Sequence, residues 1–433
     1  EPGPDMSQAL RDRLTRLHES LDALPQNGTA ANRAEAAGLM LQIARTWDEL
    51  GDTGREQAML EQIVDTFEHD SHPDTALSVC MALRSAAINH YRRDELPQAE
   101  AFNRRARAFI CHPDSRVRRQ VLRTLISYAS YLSDQRQHRA ELQVYDEIIG
   151  CFADDRDDRV RELVAASVFD KAVTEDQLGD RIAEDASYRW LIERMSDETN
   201  EASRVQVCKA HVNLLFNRLR EGDFVAALPH ADAVLRVADG SAYPGLLDQV
   251  ARALFGAARI YDNQGRHERE QSTLDDLVAR MDGHACAVAK VSLATALVRK
   301  GRGLEADFND PHAAIRCYRQ VVDRFGDTPL RFDGDPRDGW DARLHESMVR
   351  QVGLALLHSA EAFCDLHDYE QSRLLVDGLH QAYGLSENPD VVEVLDDAMA
   401  LQQRIERLSG RKNVLRGLFD RFGPVGASGS RPH

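Results

Sequence analysis

The sequence of 433 residues contains no long apolar run. Its uncharged stretches fall far short of the ~18–20 residues a membrane-crossing helix needs, so a helical membrane protein is excluded. Aromatic residues are scarce, at 6% of the chain. Apolar residues still reach 43%, too many for a disordered or collagen-like chain. Lysine is almost missing, five residues against 49 arginines, a bias that fits a GC-rich bacterial genome and is not by itself a binding signature. Basic residues are outnumbered 54 to 71, which leaves a formal charge of −17. The field of so acidic a chain repels phosphates and argues against generic binding of nucleic acid or anionic lipid.

Cysteine is present without a framework. The seven thiols (80, 111, 151, 208, 286, 317, 364) are odd in number, singly spaced, and lack a C-x-x-C or a preceding secretory h-region. Free thiols in a reducing cytoplasm are expected, most of them small core fillers. The phosphate-binding and nucleophile motifs G-x-x-x-x-G-K-[ST], G-x-G-x-x-G and G-x-S-x-G do not occur in a plausible setting. His18-Glu19 and His345-Glu346 begin like H-E-x-x-H, but Asp22 and Val349 stand where the second histidine belongs. His284 with Cys286, and His358 with Cys364 and His367, lack four-ligand zinc spacing. The expectation is a protein without catalytic residues, metal or cofactor.

What the sequence does have is a repeat. Anchors at Ala36, Val79, Val121, Val164, Val207, Val250, Val288 and Val352 are separated by 43, 42, 43, 43, 43, 38 and 64 residues. Eight residues after each anchor stand Ala44, Ala87, Ala129, Ala172, Leu215, Ala258, Ala296 and Ala360. Fifteen residues after the anchors come Gly51, Gly179, Gly222, Gly265 and Gly303, three of which begin a Gly-Asp pair. Gly-Asp suits a left-handed helix stop followed by the cap of a second helix. Apolar residues recur at spacings of three and four in both halves of a unit, as in Val207, Ala210, Leu214 and Tyr145, Ile148, Phe152, and no stretch alternates like a half-buried strand. A small residue at offset eight lets a neighbouring helix approach closely. One hairpin cannot bury its own apolar face, whereas stacked neighbours can. The fold class predicted is all-α, a solenoid of eight helical hairpins.

The small residue of the first helix, the Gly-Asp turn, an early alanine in the second helix (Ala99, Ala227, Ala314), and the endings from Tyr145 and Tyr318 together resemble the tetratricopeptide repeat, in a bacterial form with long repeats. The resemblance spans roughly residues 30 to 390, with a period near 43 instead of the ~34 typical of that repeat. It implies a right-handed superhelix whose inner face, lined by the first helices, binds peptides.

Residues outside the repeat read as follows. Glu1 to Asp5, before Met6, look like an expression scar, and residues 6–27 carry a leucine-striped capping helix (Leu10, Leu14, Leu17, Leu21, Leu24). An insertion is expected around 302–342. Its part with Asp333, Asp335, Asp338 and Asp341 fails the EF-hand spacing and reads as a solvated acidic loop. Residues 391–422 are expected to form capping and basic amphipathic helices, with Val414, Leu415, Leu418, Phe419 and Phe422 as the apolar stripe of 404–422 and Arg404, Arg407, Arg411, Lys412, Arg416 and Arg421 around it. Such a helix either caps the last repeat or contacts a partner or membrane. Residues 423–433 read as a mobile tail.

Transferred by register, the family geometry puts offsets 2, 5, 9, 12 and 13 on the inner face. In repeats two to seven this set holds Arg84, Arg92, Arg123, Lys209, Arg220, Arg252, Arg259, Lys290 and Lys300 against Asp134, Asp176 and Asp262, a net +6 within a chain of −17. Phe169, Phe216 and Phe255 add apolar contacts, and Asn213 is placed to bond a peptide backbone. The groove predicted from these residues is Arg84, Arg123, Lys209, Asn213, Phe216, Arg220, Arg252, Phe255, Arg259 and Lys290. The expected function is that of a cytoplasmic adaptor or scaffold holding an acidic protein or peptide ligand. The alternatives are nucleic acid or another polyanion in the same channel, or a peptide-sensing module that acts through a partner.

Overall fold

The computed structural model describes residues 4–25, 28–197, 199–328, 340–384, 386 and 388–421, with side chains from 6 to 410 within those ranges. It is all-α, with eighteen helices and no strand among the described residues. After α1 (Pro4–Asp22), the helices alternate as first and second members of hairpins. The pairs are α2 (Ala30–Glu49) with α3 (Thr53–Phe67), α4 (Pro73–Arg92) with α5 (Leu96–Arg107), α6 (Ser115–Asp134) with α7 (His138–Phe152), and α8 (Asp158–Gln177) with α9 (Arg181–Met195). They continue as α10 (Glu201–Glu221) with α11 (Phe224–Val237), α12 (Pro244–Asn263) with α13 (His267–Met281), α14 (Ala287–Ala306) with α15 (Pro311–Phe325), and α16 (Ala342–Asp365) with α17 (Tyr369–Tyr383). The chain ends on α18 (Pro389–Arg421). No described helix is long and apolar enough to cross a membrane.

The hairpin turn is the most regular feature. Gly51, Gly179, Gly222 and Gly265 have φ between 66° and 78°, the left-handed region in which glycine carries no Cβ penalty. The next residue then caps the second helix: Asp52 accepts from the Arg55 N–H at 3.0 Å, Asp180 from Ala183 at 3.1 Å and Asp223 from Ala226 at 3.0 Å. Asp94, Arg136 and His367 take the same left-handed conformation at the same offset, with φ of 58°, 55° and 63°. The turn is thus conserved in geometry where the glycine is not.

Contact analysis divides the chain into two compact units, residues 1–210 and 211–433. In the first, α2, α4, α6 and α8 touch in succession, while the second helices stand farther apart and reach one another through long side chains such as Arg107 and Glu147. In the second, α12, α14, α16 and α18 form the corresponding layer. One layer in contact and the other splayed bends each stack toward its first helices. A hairpin's core is completed by its neighbour. Met40, Leu41 and Ala44 of α2 and Leu60, Ile63, Val64 and Phe67 of α3 are buried together with Val79, Ala82, Leu83 and Ala86 of α4. The offset-eight alanines 44, 87, 129, 172, 258 and 360 are all 1% exposed or less, as close helix approach demands.

Leu215 breaks that pattern, and the structure shows how. Its Cδ2 lies where a Cβ on Gly256 would stand, so the glycine of α12 makes room for the bulky residue of α10.

The seventh repeat is in a different register from the one read in the sequence. Pro244 starts α12 six residues before Val250, and Ala287 starts α14 six residues before Leu293, so Leu293 and not Val288 is the equivalent position. The small residue at offset eight is then Gly301, closely packed against the buried Tyr318 ring. Gly303 lies inside α14 and not in a turn, and Asn309 (φ 52°) supplies the left-handed residue. Residues 302–306 therefore finish α14, and the surplus falls between Phe325 and Ala342 and in the longer α16. The mistake arose because Ala287, Val288, Ala289, Val291, Leu293 and Ala294 offer several apolar positions at helical spacing. Asp333, Asp335 and Asp338 lie outside the described residues, whereas Asp341 caps α16 by accepting from the Leu344 N–H at 2.7 Å.

At the C-terminus α18 is one continuous helix, with Val391, Val394, Leu395, Ala398, Leu401 and Ile405 buried. Arg404 pairs with Asp365 at 2.6 Å. The side chains of the stripe from Val414 to Phe419 are not among those described, and Phe422 lies outside the described residues.

Candidate ligand-binding faces

Cations in this chain divide by what they touch. One group is paired with carboxylates, across consecutive hairpins for Arg105 and Arg107, and to the loop that follows the same hairpin for Arg33 and Arg118. Arg118 grips Asp155 through two N–H donors at 2.7 and 3.0 Å, Arg107 grips Glu147 at 2.6 and 2.8 Å, and Arg105 reaches Glu68 at 2.7 Å and Asp65 at 3.0 Å. Arg33 meets Asp70 at 2.5 Å. The guanidinium of Arg118 and two backbone N–H groups hold the Asp155 carboxyl below the ordinary range, against the opposing effect of burial.

The other group lies on first helices, as Arg33 and Arg118 also do. In the first unit, Arg84 on α4 is half-buried and Arg123 on α6 is exposed, and neither pairs with a carboxylate among the described residues. The nearest hydrogen-bond partner of Arg84 is neutral: its Nε donates to Ser127 Oγ at 3.5 Å, and that hydroxyl donates to the Arg123 carbonyl at 2.9 Å. Burial, and after it the positive charge of Arg123, lowers the Arg84 pKa. Lys209 of α10 is more constrained. Its Nζ sits 5.1 Å from the centre of the Phe169 ring. Asp170 also lies nearby: the protein around that carboxyl raises its pKa, Lys209 lowers it, and Glu141 raises it again. Asp170 stands at offset six, the offset of Asn213, and the sequence reading took the asparagine of that position without the aspartate.

In the second unit, Arg252, Phe255 and Arg259 share one side of α12 at spacings of three and four. Both arginines are exposed, Phe255 is half-buried, and neither arginine has a carboxylate partner among the described residues. Phe216 is half-buried on α10, and exposed Arg220 donates to Asn217. Asn213 already has a partner within the protein. Lys290 does not extend the row of Arg252. In the corrected register Thr295 is the residue level with Arg252, and Lys290 lies nearly a turn and a half earlier on α14. Lys300 is tied to Asp275 and Arg299 to Glu270.

The same register exposes a set that the sequence reading passed over. Twenty residues after an anchor, where other repeats have Ala99 and Ala227, stand Glu56, Glu141, Glu184 and Glu270, each 6% exposed or less. Glu141 accepts from the Thr174 hydroxyl at 2.9 Å, and Glu270 from Arg299 at 2.7 Å. These carboxylates join a second helix to the following first helix. A glutamate in place of a small residue, four times at one offset, was the available signal.

Among the described residues one group could hold a cation: Asp262, His267 and Glu270, whose donor atoms lie within 4.8 Å of one another. Arg299 already occupies Glu270, and Asp307 stands 3.2 Å from His267, so the guanidinium competes with any ion there.

No protein-family model and no curated protein matches the sequence. Among solved structures, an engineered protein is similar over 95% of both chains, with 15% identity and a TM-score of 0.49. The apo form of RapI aligns with 86% of this chain and 98% of its own at 11% identity and a TM-score of 0.43. A tetratricopeptide repeat protein from Parabacteroides merdae aligns with 74% of this chain and 98% of its own at 11% identity and a TM-score of 0.33. These likenesses concern the fold alone and are too distant to transfer a ligand. On its own helix order, turn geometry and first-helix layers, the chain is a helical-repeat protein whose fold fits the tetratricopeptide type.

Proposed function

We propose that this protein is an interaction scaffold that holds acidic peptide segments on its first-helix faces. The observation that carries the reading is the pairing pattern. Arg123, Arg252 and Arg259 are exposed and Arg84 half-buried, all four without a carboxylate partner among the described residues, while Arg105 and Arg107 are tied between hairpins and Arg33 and Arg118 to the loop that follows their own hairpin. A chain of −17 that keeps guanidiniums unneutralised on one layer offers an acidic ligand local attraction within a repelling surround, which favours specificity over non-selective adhesion. Phe169, Phe216 and Phe255 supply apolar area beside the charges. Each unit carries its own face, Arg84 and Arg123 in one and Arg252, Phe255 and Arg259 in the other.

The test is a photo-crosslinking amino acid placed at Phe255 or Ser127, compared with Ile182, an 86% exposed residue on α9 away from these faces. Expressed in the native host, the first two positions should capture polypeptides whose crosslinked segments are rich in Asp and Glu. Capture of RNA, or equal capture at Ile182, would refute the reading.

A further inference from the structure

The two arginines of the first unit share one local environment. Arg84 and Arg123 come from touching first helices, whose axes in such packing stand ~8–10 Å apart. The Arg84 Nε reaches across to Ser127, which lies one turn beyond Arg123 on α6 and is bonded to its carbonyl. A third arginine, Arg119, lies one turn before Arg123, and its Nε is buried with no hydrogen-bond partner. The guanidinium of Arg84 is therefore held at the surface of α6 by a neutral hydroxyl at the limit of hydrogen-bond distance, on the helix that carries Arg119 and Arg123.

We propose that the Arg84–Arg123 pair binds a phosphomonoester on the peptide ligand, one dianionic group bridging both guanidiniums. The inference rests on the reading of the first-helix faces given above and adds the chemistry of one position. A carboxylate has one charge and two oxygens, so bridging two guanidiniums with it leaves a positive excess in a half-buried place. A phosphate ester carries about −1.5 to −2 at neutral pH and has three acceptor oxygens, enough for both forks. Ser127 Oγ can add one more hydrogen bond from the same side. Arginine is suited to this because its fork is planar and always charged, and lysine in its place loses the bidentate geometry. Arg252 and Arg259 lie seven residues apart on a single helix, which presents them as two separate charges for carboxylates.

The experiment uses the full chain and two small probes, N-acetyl-O-phosphoserine amide and N-acetylglutamate amide, with binding followed by NMR line broadening of the probe. The phosphate probe should bind about tenfold or more tighter than the carboxylate probe, the equivalent of one strong added ionic hydrogen bond. Arg84→Gln and Arg123→Gln should each abolish that preference, and Arg84→Lys should weaken it. Arg181→Gln, at an exposed position on α9 outside the first-helix faces, should leave it unchanged. Circular dichroism of each variant checks folding, and Arg84→Lys, which keeps the charge and stem, serves if Arg84→Gln does not fold. Equal binding of both probes, with binding of either lost in Arg252→Gln, would overturn the phosphate assignment and leave acid binding intact. A phosphate preference that survives in Arg84→Gln/Arg123→Gln would overturn it as well. Failure of both probes, and of a Glu-rich peptide, to bind at low salt would overturn both readings.

Discussion

Replacing Gly256 with alanine tests whether the exception at Leu215 has been explained correctly. In the interior of α12 such a change should help, because alanine exceeds glycine in helix propensity by about 0.8–1 kcal/mol. Here the new Cβ would fall well inside van der Waals contact of Leu215 Cδ2, and Leu215 is fully buried on α10. Overpacking of this kind costs ~1–3 kcal/mol, so the net expectation for Gly256→Ala is a loss of about 1 kcal/mol. Leu215→Ala alone removes a fully buried side chain and should cost about 2–5 kcal/mol. Combined with Leu215→Ala, the Gly256→Ala change no longer meets the leucine, partly fills the void and keeps its helix gain. The double variant should therefore be about 1 kcal/mol more stable than Leu215→Ala, and the coupling between the sites about 2 kcal/mol in sign-reversing fashion. Urea unfolding followed by helix ellipticity gives all four corners of the cycle. If Gly256→Ala stabilises the otherwise unchanged protein by its full helix increment, Leu215 is not seated on that glycine and the explanation fails.

Three further outcomes follow from local chemistry. Arg136→Gly should raise the urea midpoint by the equivalent of about 1 kcal/mol, because Arg136 holds φ at 55°, and no change would mean that the left-handed turn is not retained in solution. Asp155→Ala should cost about 2–4 kcal/mol, since the Asp155 side chain is only 6% exposed and its loss leaves the Arg118 guanidinium with backbone carbonyls but no counter-charge, whereas Arg116→Ala, on a half-exposed guanidinium, should cost under about 1 kcal/mol. His211 faces His230 with Nδ1 atoms 3.0 Å apart, and burial, then His230 and Arg236, bring its pKa from 6.5 down to about 4. Between these values the unfolded chain takes up a proton that the folded one refuses. Stability is therefore complete above pH 6.5 and declines as pH falls toward 4, by on the order of 3 kcal/mol. Urea midpoints of the protein and of His211→Gln between pH 7 and 4.5 check this, and identical pH slopes would refute it.

The hairpin repeat was legible because the turn and the close helix approach impose residue types: glycine at 51, 179, 222 and 265, alanine at offset eight. It blurred where physics allows substitutes. Asp94, Arg136 and His367 occupy a glycine conformation at a tolerable cost, so the sequence hid three turns. Leu215 stayed an anomaly because its compensation sits 41 residues away, at Gly256. In α14 an almost continuous apolar run left the register open, and Lys290 and Lys300 were misplaced with it. That Arg252, Phe255 and Arg259 share one accessible side of α12 was legible from spacing alone. Pairing was not, since whether a cation is tied or available depends on partners such as Asp275 for Lys300 and Asp170 for Lys209, which helical register does not reveal.

The most direct measurement is the binding of a fluorescent Glu-rich peptide to the full chain by anisotropy, at two salt concentrations, with charge reversal on and off the first-helix faces. Arg123→Glu/Arg252→Glu/Arg259→Glu should abolish binding together with its salt dependence. Arg181→Glu/Arg189→Glu/Arg269→Glu, exposed positions on the second helices α9 and α13, should change it less than about threefold, because screened charges more than a Debye length of ~8–10 Å from the ligand contribute little. Equal loss in both triple variants, or undiminished binding when the first-helix arginines are reversed, would contradict the assignment of ligand binding to these faces.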